Sequence, residues 1–250
     1  MSISIYMFHA IGDLGDNDWA DPLYCFSEKK FKTFLDGAEH VFCMEKLEQN
    51  DAGNSVVMTF DDGHISNYWA GKFIAEQGYG SADFFINPAH IGKDYYMSWS
   101  QVLELSNLGM SIQSHGFDHR YLSDLTNIEL REQLLKSKHQ IELYTKQPVK
   151  HLSPPGGRYD KRCIEQAKII GYQSILSSQP GIVENLDHYL LPRISVKKNS
   201  RVDELLAMNR VLNPRLLMLR IRYQLLKLMK FVLGNKRYES IRWYLLGVRK

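Results

Sequence analysis

Val56-Val57-Met58-Thr59-Phe60-Asp61-Asp62-Gly63 is an apolar run that stops on two adjacent carboxylates and a glycine. Its β-branched and aromatic residues, bounded by Asp-Gly, predict a buried strand that delivers acidic side chains to the rim of a parallel sheet. Side chains alternate in direction along a strand, so Asp61 and Asp62 point apart unless the chain is already turning, a turn that Gly63 allows. The two carboxylates are therefore free to hold different roles.

Further along, Ser111-Ile112-Gln113-Ser114-His115-Gly116-Phe117-Asp118-His119 presents two histidines at i, i+4. That spacing predicts two imidazoles on one side of a helical turn, the arrangement by which paired histidines hold zinc in metalloproteases. With one carboxylate added, a His, His, Asp set leaves a tetrahedral metal one open position for water, as in a catalytic site and not a structural one. The other Asp is then available as a base. Asp-Asp-Gly alone is more often a solvated turn, and His-x-x-x-His alone more often a pair of surface histidines. The weight rests on their occurring together and in this order.

Thr59-Phe60-Asp61-Asp62-Gly63 followed by Ser114-His115-x-x-x-His119 resembles the first two motifs of the polysaccharide deacetylases, the NodB-type carbohydrate esterases that remove N-acetyl or O-acetyl groups from sugars. The resemblance covers about residues 1 to 196. It implies a distorted (β/α) barrel with a divalent metal at the strand C-termini, and a hydrolase acting on a carbon–nitrogen bond other than a peptide bond. Carried over residue by residue, it makes Asp62, His115 and His119 the metal ligands and Asp61 the general base. Zinc is the first expectation for the metal, with cobalt, nickel or manganese as alternatives.

The third motif departs from the family pattern. Arg-x-Pro-Tyr-Gly or Tyr-Pro-Tyr-Gly is usual there, whereas this chain has Ser153-Pro154-Pro155-Gly156-Gly157, without the arginine that orients the base. Arg158 and Arg193 are the substitutes. Arg193 stands in Leu191-Pro192-Arg193-Ile194, which resembles a Leu-Pro-Arg-Ile segment of related bacterial deacetylases; the alternative is a surface arginine at a strand start. The Gly156 N–H, after two prolines that lack donors and stiffen the turn, is the candidate oxyanion donor against a simple Pro-Gly turn. No Leu-x-His motif follows Val196 to provide the usual acid. Tyr6-Met7-Phe8-His9-Ala10-Ile11 instead resembles the Tyr-His strand end of the poly-N-acetylglucosamine deacetylase branch, so His9 is the candidate acid, ahead of His64, His90 and His188.

The flanking sequence alternates strands with helices. Strands are expected at Ile3 to Phe8, Glu39 to Met44, Ala82 to Ile86, Met110 to Gln113, His151 to Ser153, Gln173 to Leu176 and Leu190 to Val196. Between them, Ser27 is expected to cap a helix with Phe31, Phe34, Leu35 and Ala38 inward, and Ser66 one with Trp69, Phe73 and Ile74 inward. Trp99 to Leu108 reads as a helix that stops at Gly109. Asn127 is expected to cap a helix carrying Leu130, Leu134, Leu135 and Ile141 that Pro148 closes, and Asp160 to Ile170 reads as a helix that Gly171 ends. Such alternation argues for a parallel sheet, and closure into a barrel puts the active site on the C-terminal rim. The fold class is thus α/β, a distorted (β/α) barrel of the polysaccharide deacetylase type with a C-terminal basic helical extension.

With 250 residues, 44% hydrophobic and 24% charged, the chain has the composition of an ordinary globular protein. Cys25, Cys43 and Cys163 are odd in number and widely spaced, so neither a disulfide framework nor a thiolate zinc site is expected. The N-terminal segment has no positive n-region and only strand length, which reads as a cytoplasmic protein. A cytoplasmic deacetylase is expected to meet a nucleotide-linked or lipid-linked N-acetylated sugar, in bacterial surface-glycan assembly.

The net charge of +3 is unevenly spread: residues 201–250 carry 12 Lys/Arg against 3 Asp/Glu. The expected division is a deacetylase-like catalytic domain over 1–200 and a basic amphipathic helical extension over 201–250. There Leu217, Met218, Ile221, Leu225, Leu228, Met229 and Val232 share one helical face, opposite the basic residues. Interrupting charges exclude a transmembrane helix. Two readings remain, a helix lying on an anionic membrane at the inner face and a helix packed on the barrel; nucleic acid is not expected as a partner. Rival functions are a catalytically inactive glycan-binding scaffold on this fold and a metal hydrolase of a non-sugar amide.

Overall fold

The computed structural model describes residues 2–47, 54–208 and 213–245. Its elements in chain order are β1 (Ser2–Phe8), β2 (Ala10–Ile11), β3 (Cys25–Phe26), α1 (Glu28–Ala38), α2 (Met44–Leu47), β4 (Asn54–Phe60), α3 (Ile65–Glu76) and β5 (Asp83–Ile86). Then follow α4 (Trp99–Asn107), β6 (Ser111–Ser114), α5 (Asn127–Thr145), β7 (His151–Leu152), α6 (Lys161–Ile170) and β8 (Ser174–Leu176). The chain ends with β9 (Leu190–Leu191), β10 (Ile194–Ser195), α7 (Val202–Leu206) and α8 (Pro214–Leu245).

The main sheet runs β10-β1-β4-β5-β6-β7-β8-β9, with every pairing parallel. Its two outer strands, β9 and β10, are one stretch of chain broken only by Pro192 and Arg193. The sheet therefore curls until its edges meet, which makes a distorted barrel and leaves no long edge open. The two-residue β2 and β3 form a separate small ladder.

Alternation along the strands divides the side chains. Tyr6, Phe8, Met58, Phe60 and Phe84 face the helices and join one core cluster with Phe31, Phe34 and Leu105. Phe60 stacks on Phe84 with centroids 4.8 Å apart, and Phe8 meets Phe26, Phe31 and Phe34 edge-on. Burying a ring of this size contributes about 1.5–3 kcal/mol. Ile3, Ile5, Val57, Phe85, Leu176 and Leu191 face the barrel interior as a second cluster. Thr59 and Asp61 continue the inward row of Val57, so Asp61 enters the mouth of the barrel.

Several local expectations change. Ser27 caps α1 as expected, but α3 is capped by His64, whose Nδ1 faces the Ser66 N–H at 3.2 Å; Ser66 Oγ instead accepts from the Ile11 N–H. The fully buried face of α3 is Asn67, Ala70, Gly71 and Ile74, while Trp69 and Phe73 pack against the same core half-buried, beneath Lys32. α5 is capped by Thr126 in a reciprocal pair with Glu129, one residue before Asn127, and Leu135 is exposed. Glu39 to Met44 is not a strand: Val41 and Phe42 make isolated bridges, and Met44 already starts α2. Cys25, Cys43 and Cys163 are free and buried, and burial pushes the Cys163 thiol up to about 12.

Packing continues beyond residue 200. The Tyr6 hydroxyl donates to Leu205 O at 2.6 Å, and Leu205, Met208 and Leu216 are buried in the same core as the barrel helices.

Candidate active site

The strand ends are aligned by backbone register. Phe8 pairs with Phe60, Ile86 with Ser114 and Ser114 with Leu152, so the residues that follow them emerge at one rim. Three bonds continue the ladder past the strands: Asp61 N–H to Phe8 O, His115 N–H to Ile86 O and Ser153 N–H to Ser114 O, each 2.9 Å. His9, Asp61, His115 and Ser153 are thereby fixed side by side.

Asp62 and Gly63 both turn at φ +76°, so the chain leaves the strand direction immediately after Asp61. Positive φ costs a non-glycine residue energy that the surroundings must hold, and such positions concentrate at functional sites. His119 is a second one, at φ +63°. The two histidines do not share a helical turn as their spacing suggests. Residues 115–121 are irregular, and Gly116 at φ +74° swings the chain so that both imidazoles converge from a loop.

They converge on one atom. Asp62 Oδ1 lies 3.2 Å from His115 Nε2 and 3.2 Å from His119 Nε2. His115 Nδ1 is 2.7 Å from Ser153 O, a carbonyl that can only accept, so Nδ1 donates there and Nε2 is the nitrogen turned to the carboxylate. Asp62 Oδ1 is buried and makes no hydrogen bond among the described residues. Electron-rich atoms gathered this closely fit a cation between them, and the three residues form a group able to hold a divalent metal. Burial pushes the Asp62 carboxyl up, but the facing His119 and His115 outweigh it and hold it well below the usual carboxylate range.

Asp61 is held differently. Arg193, fully buried and lying over the Phe85 ring inside the barrel, donates from Nη1 to Asp61 Oδ1 and from Nη2 to Asp61 Oδ2, both at 2.8 Å. Ser153 Oγ accepts from Arg193 Nη2 at 2.7 Å and donates to Asp61 Oδ2 at 3.0 Å. Arg193 Nη1 and Nε also reach Thr59 Oγ1 and Ser177 O. Burial raises the Asp61 carboxyl, and the Arg193 guanidinium and His115 more than offset it, leaving an ionised group below its ordinary value. Arg193 is thus no surface arginine: it is the cation that orients Asp61. Arg158 is buried against the rings of Tyr121 and Tyr238.

His9 sits half-buried beside this pair, its ring 4.7 Å from that of Tyr24 and its Nδ1 without a hydrogen bond among the described residues. Burial lowers its pKa, against the pull of the Asp62 and Asp61 charges. Gly156, at φ +60° in the turn Pro155–Gly157, is exposed after β7; an added Cβ would meet the Tyr121 ring at 2.7 Å. The other histidines divide. His64 is engaged by Asp18 at 3.0 Å, and His188 lies two residues before β9, at the opposite end of the parallel strands. His90 packs on Tyr96, 5.0 Å between centroids, where the charges of His119 and Asp62 act on it.

Sequence reasoning missed an aromatic wall at this rim. Trp19 stacks on Tyr96 with centroids 4.3 Å apart and meets His64 edge-on, while the Asp62 charge acts on Tyr96. Residues this far apart in sequence carry no local signal of meeting.

The model of the family described as polysaccharide deacetylase matches residues 48–175, which span β4 to β8 and hold both Asp61-Asp62 and His115/His119. The chain belongs to the polysaccharide deacetylase family. A Bacillus subtilis protein described as a polysaccharide deacetylase, YxkH, is 30% identical to this deacetylase-family chain over 142 residues, 56% of the chain and 51% of the relative. A peptidoglycan-N-acetylglucosamine deacetylase of Bacillus cereus is 27% identical over 143 residues, 53% of the chain and 65% of the relative. The matches thus span about half to two thirds of those relatives. Among solved structures, the Streptococcus pyogenes deacetylase PplD shares the polysaccharide deacetylase fold at a TM-score of 0.76 and 21% identity, over 84% of this chain and 99% of that one. IcaB from Ammonifex degensii shares it at a TM-score of 0.72 and 17% identity, over 83% and 97%.

Proposed function

We propose that this chain hydrolyses the N-acetyl group of a sugar, with Asp62, His115 and His119 holding a divalent metal and Asp61 acting as base. The observation that carries this reading is the split of two adjacent carboxylates, one turned to the imidazole pair and one locked on Arg193. When bound, the metal, zinc in this reading with cobalt, nickel or manganese as alternatives, supplies Lewis-acid polarisation of the acetyl carbonyl and acidifies the attacking water. Asp61 takes the proton that the water loses, and Arg193 and Ser153 hold the carboxylate in place for that transfer. The Gly156 N–H stabilises the oxygen that gains charge as the carbonyl carbon becomes tetrahedral. His9 gives a proton to the amine nitrogen as the carbon–nitrogen bond breaks, so that one amide and one water leave as an amine and acetate.

The family match and a relative named as a peptidoglycan-N-acetylglucosamine deacetylase support a sugar substrate. We further propose that the acetylated sugar is carried on a lipid or a nucleotide, during bacterial surface-glycan synthesis in the cytoplasm at the inner face of the membrane. The anionic cytoplasmic leaflet would attract the 12 Lys/Arg of residues 201–250. The test is acetate release from N-acetylglucosamine oligomers and from nucleotide- and lipid-linked N-acetylated sugars by zinc-loaded protein. Release that Asp61→Asn abolishes supports the reading. Zinc binding without release from any of them would turn attention to a non-sugar amide, and no zinc binding to a glycan-binding scaffold.

A further inference from the structure

Helix α8 is apolar on two sides, and the barrel covers only one of them. Leu216 is fully buried, Leu219 packs against the same core, and burial pushes the Tyr223 hydroxyl up to about 12. On the far side Leu217, Met218, Ile221, Leu225, Leu228 and Val232 are each 53–72% exposed. These side chains recur at i, i+3, i+4 and i+7 along one continuous stripe. Among the described residues nothing covers it. The sequence pattern allowed the face to pack on the barrel, and the structure turns it the other way.

The charge around the stripe selects an occupant. Arg215, Arg220, Arg222, Lys227 and Lys230 fall within the same turns, and no Asp or Glu occurs from Leu205 to Tyr238. On the other sides of the helix the cations alternate with Leu216, Leu219 and Tyr223, and Arg220 and Arg222 come next to the edges of the stripe. An isologous contact with a second copy would bring these flanks of like charge together; of the five cations, Arg215 has an acid beside it, Glu204. No helix among the described residues is long and apolar enough to cross a membrane. A stripe of aliphatic side chains edged by cations, on a helix anchored along its other side, fits the interface of an anionic bilayer, with the apolar residues among acyl chains and the cations at headgroups.

We infer that α8 docks this protein flat on an anionic membrane surface through Leu217, Met218, Ile221, Leu225, Leu228 and Val232. The helix is tied to the rim that carries the candidate site: Arg220 Nε donates to Pro180 O in the loop after β8, and the Tyr238 ring packs on Arg158 of the segment that follows Gly156. A docked helix would therefore hold that rim close to the membrane. The inference is independent of the deacetylation reading, because docking is measured without turnover.

The experiment is flotation of the full chain with vesicles of phosphatidylcholine alone and of phosphatidylcholine mixed with phosphatidylglycerol, beside sedimentation equilibrium without lipid. The expected result is binding to the mixed vesicles, weaker by roughly tenfold or more on phosphatidylcholine alone and in high salt. Ile221→Gln/Leu225→Gln/Leu228→Gln should lose that binding by a similar factor with its unfolding midpoint unchanged, and Arg222→Gln/Lys227→Gln should lose the preference for anionic lipid. Equal binding by the triple variant would overturn the inference. So would a wild-type dimer that the triple variant converts to monomer while neither binds vesicles, which would make the stripe a contact between copies.

Discussion

Asp61 and Asp62 are neighbours in the chain and opposites in the fold. Asp61 ends the inward row of β4, is 2% exposed, and spends both oxygens on the Arg193 fork and the Ser153 hydroxyl. Asp62 has already turned at φ +76° and offers an unbonded Oδ1 to two imidazole nitrogens. A carboxylate held bidentate by a guanidinium keeps a defined orientation and stays ionised in a dry site. One facing two imidazole nitrogens completes a donor set for a cation. One step along the backbone thus separates a carboxylate locked on a guanidinium from one turned to two imidazoles.

Asp83, a third buried carboxylate in the same sheet, shows what happens without a cation. Its Oδ2 accepts from the Met44 N–H at 2.8 Å, and burial drives its pKa up to about 7.

These contrasts can be broken by substitution. The largest effect is expected from Asp61→Asn, which keeps the shape and removes the base: turnover should fall by about 10²–10⁴-fold with zinc affinity unchanged. Retained deacetylation would disprove the assignment of the base. Arg193→Met leaves the Asp61 charge buried without its partner, and urea unfolding should register a loss of about 3–5 kcal/mol. Asp61→Asn/Arg193→Met should recover much of it, since the uncompensated charge is gone, and a double variant as unstable as Arg193→Met would mean that packing, and not charge, is what Arg193 contributes.

A smaller effect distinguishes Asp83. Its folded pKa lies above its unfolded one, so between about pH 4 and 7 the native state binds the extra proton and stability declines as pH rises. Asp83→Asn should therefore gain stability over the wild type as pH goes from 5 to 8, by about 2–4 kcal/mol at the upper end, read in thermal unfolding at both pH values. A difference that does not change with pH would mean that Asp83 is ionised throughout.

The barrel was largely legible because each strand is a short apolar run closed by a turn, and the site lies where those runs stop. Asp61, Asp62, His115 and His119 were all found in this way. Arg193 was found only through its Leu-Pro-Arg-Ile setting; nothing local in the sequence says that a strand broken by Pro192 closes the barrel and carries a guanidinium inward. The histidine pair was legible with the wrong geometry, since a period of four residues suggests a helix while Gly116 and His119 at positive φ make a loop. His64 was a runner-up for the acid and instead caps α3 and pairs with Asp18, an arrangement that depends on contacts 46 residues apart. For α8 the sequence defined the apolar face and left open what it meets, because periodicity reports that a face exists and not which neighbour covers it.

The most direct test is calorimetric titration of metal-stripped protein with zinc for the wild type, Asp61→Asn and Asp62→Ala. The account predicts one site in the wild type, the same site in Asp61→Asn, and its loss in Asp62→Ala. Equal zinc binding by Asp62→Ala, or loss of the site in Asp61→Asn as well, would contradict the division of labour between the two carboxylates.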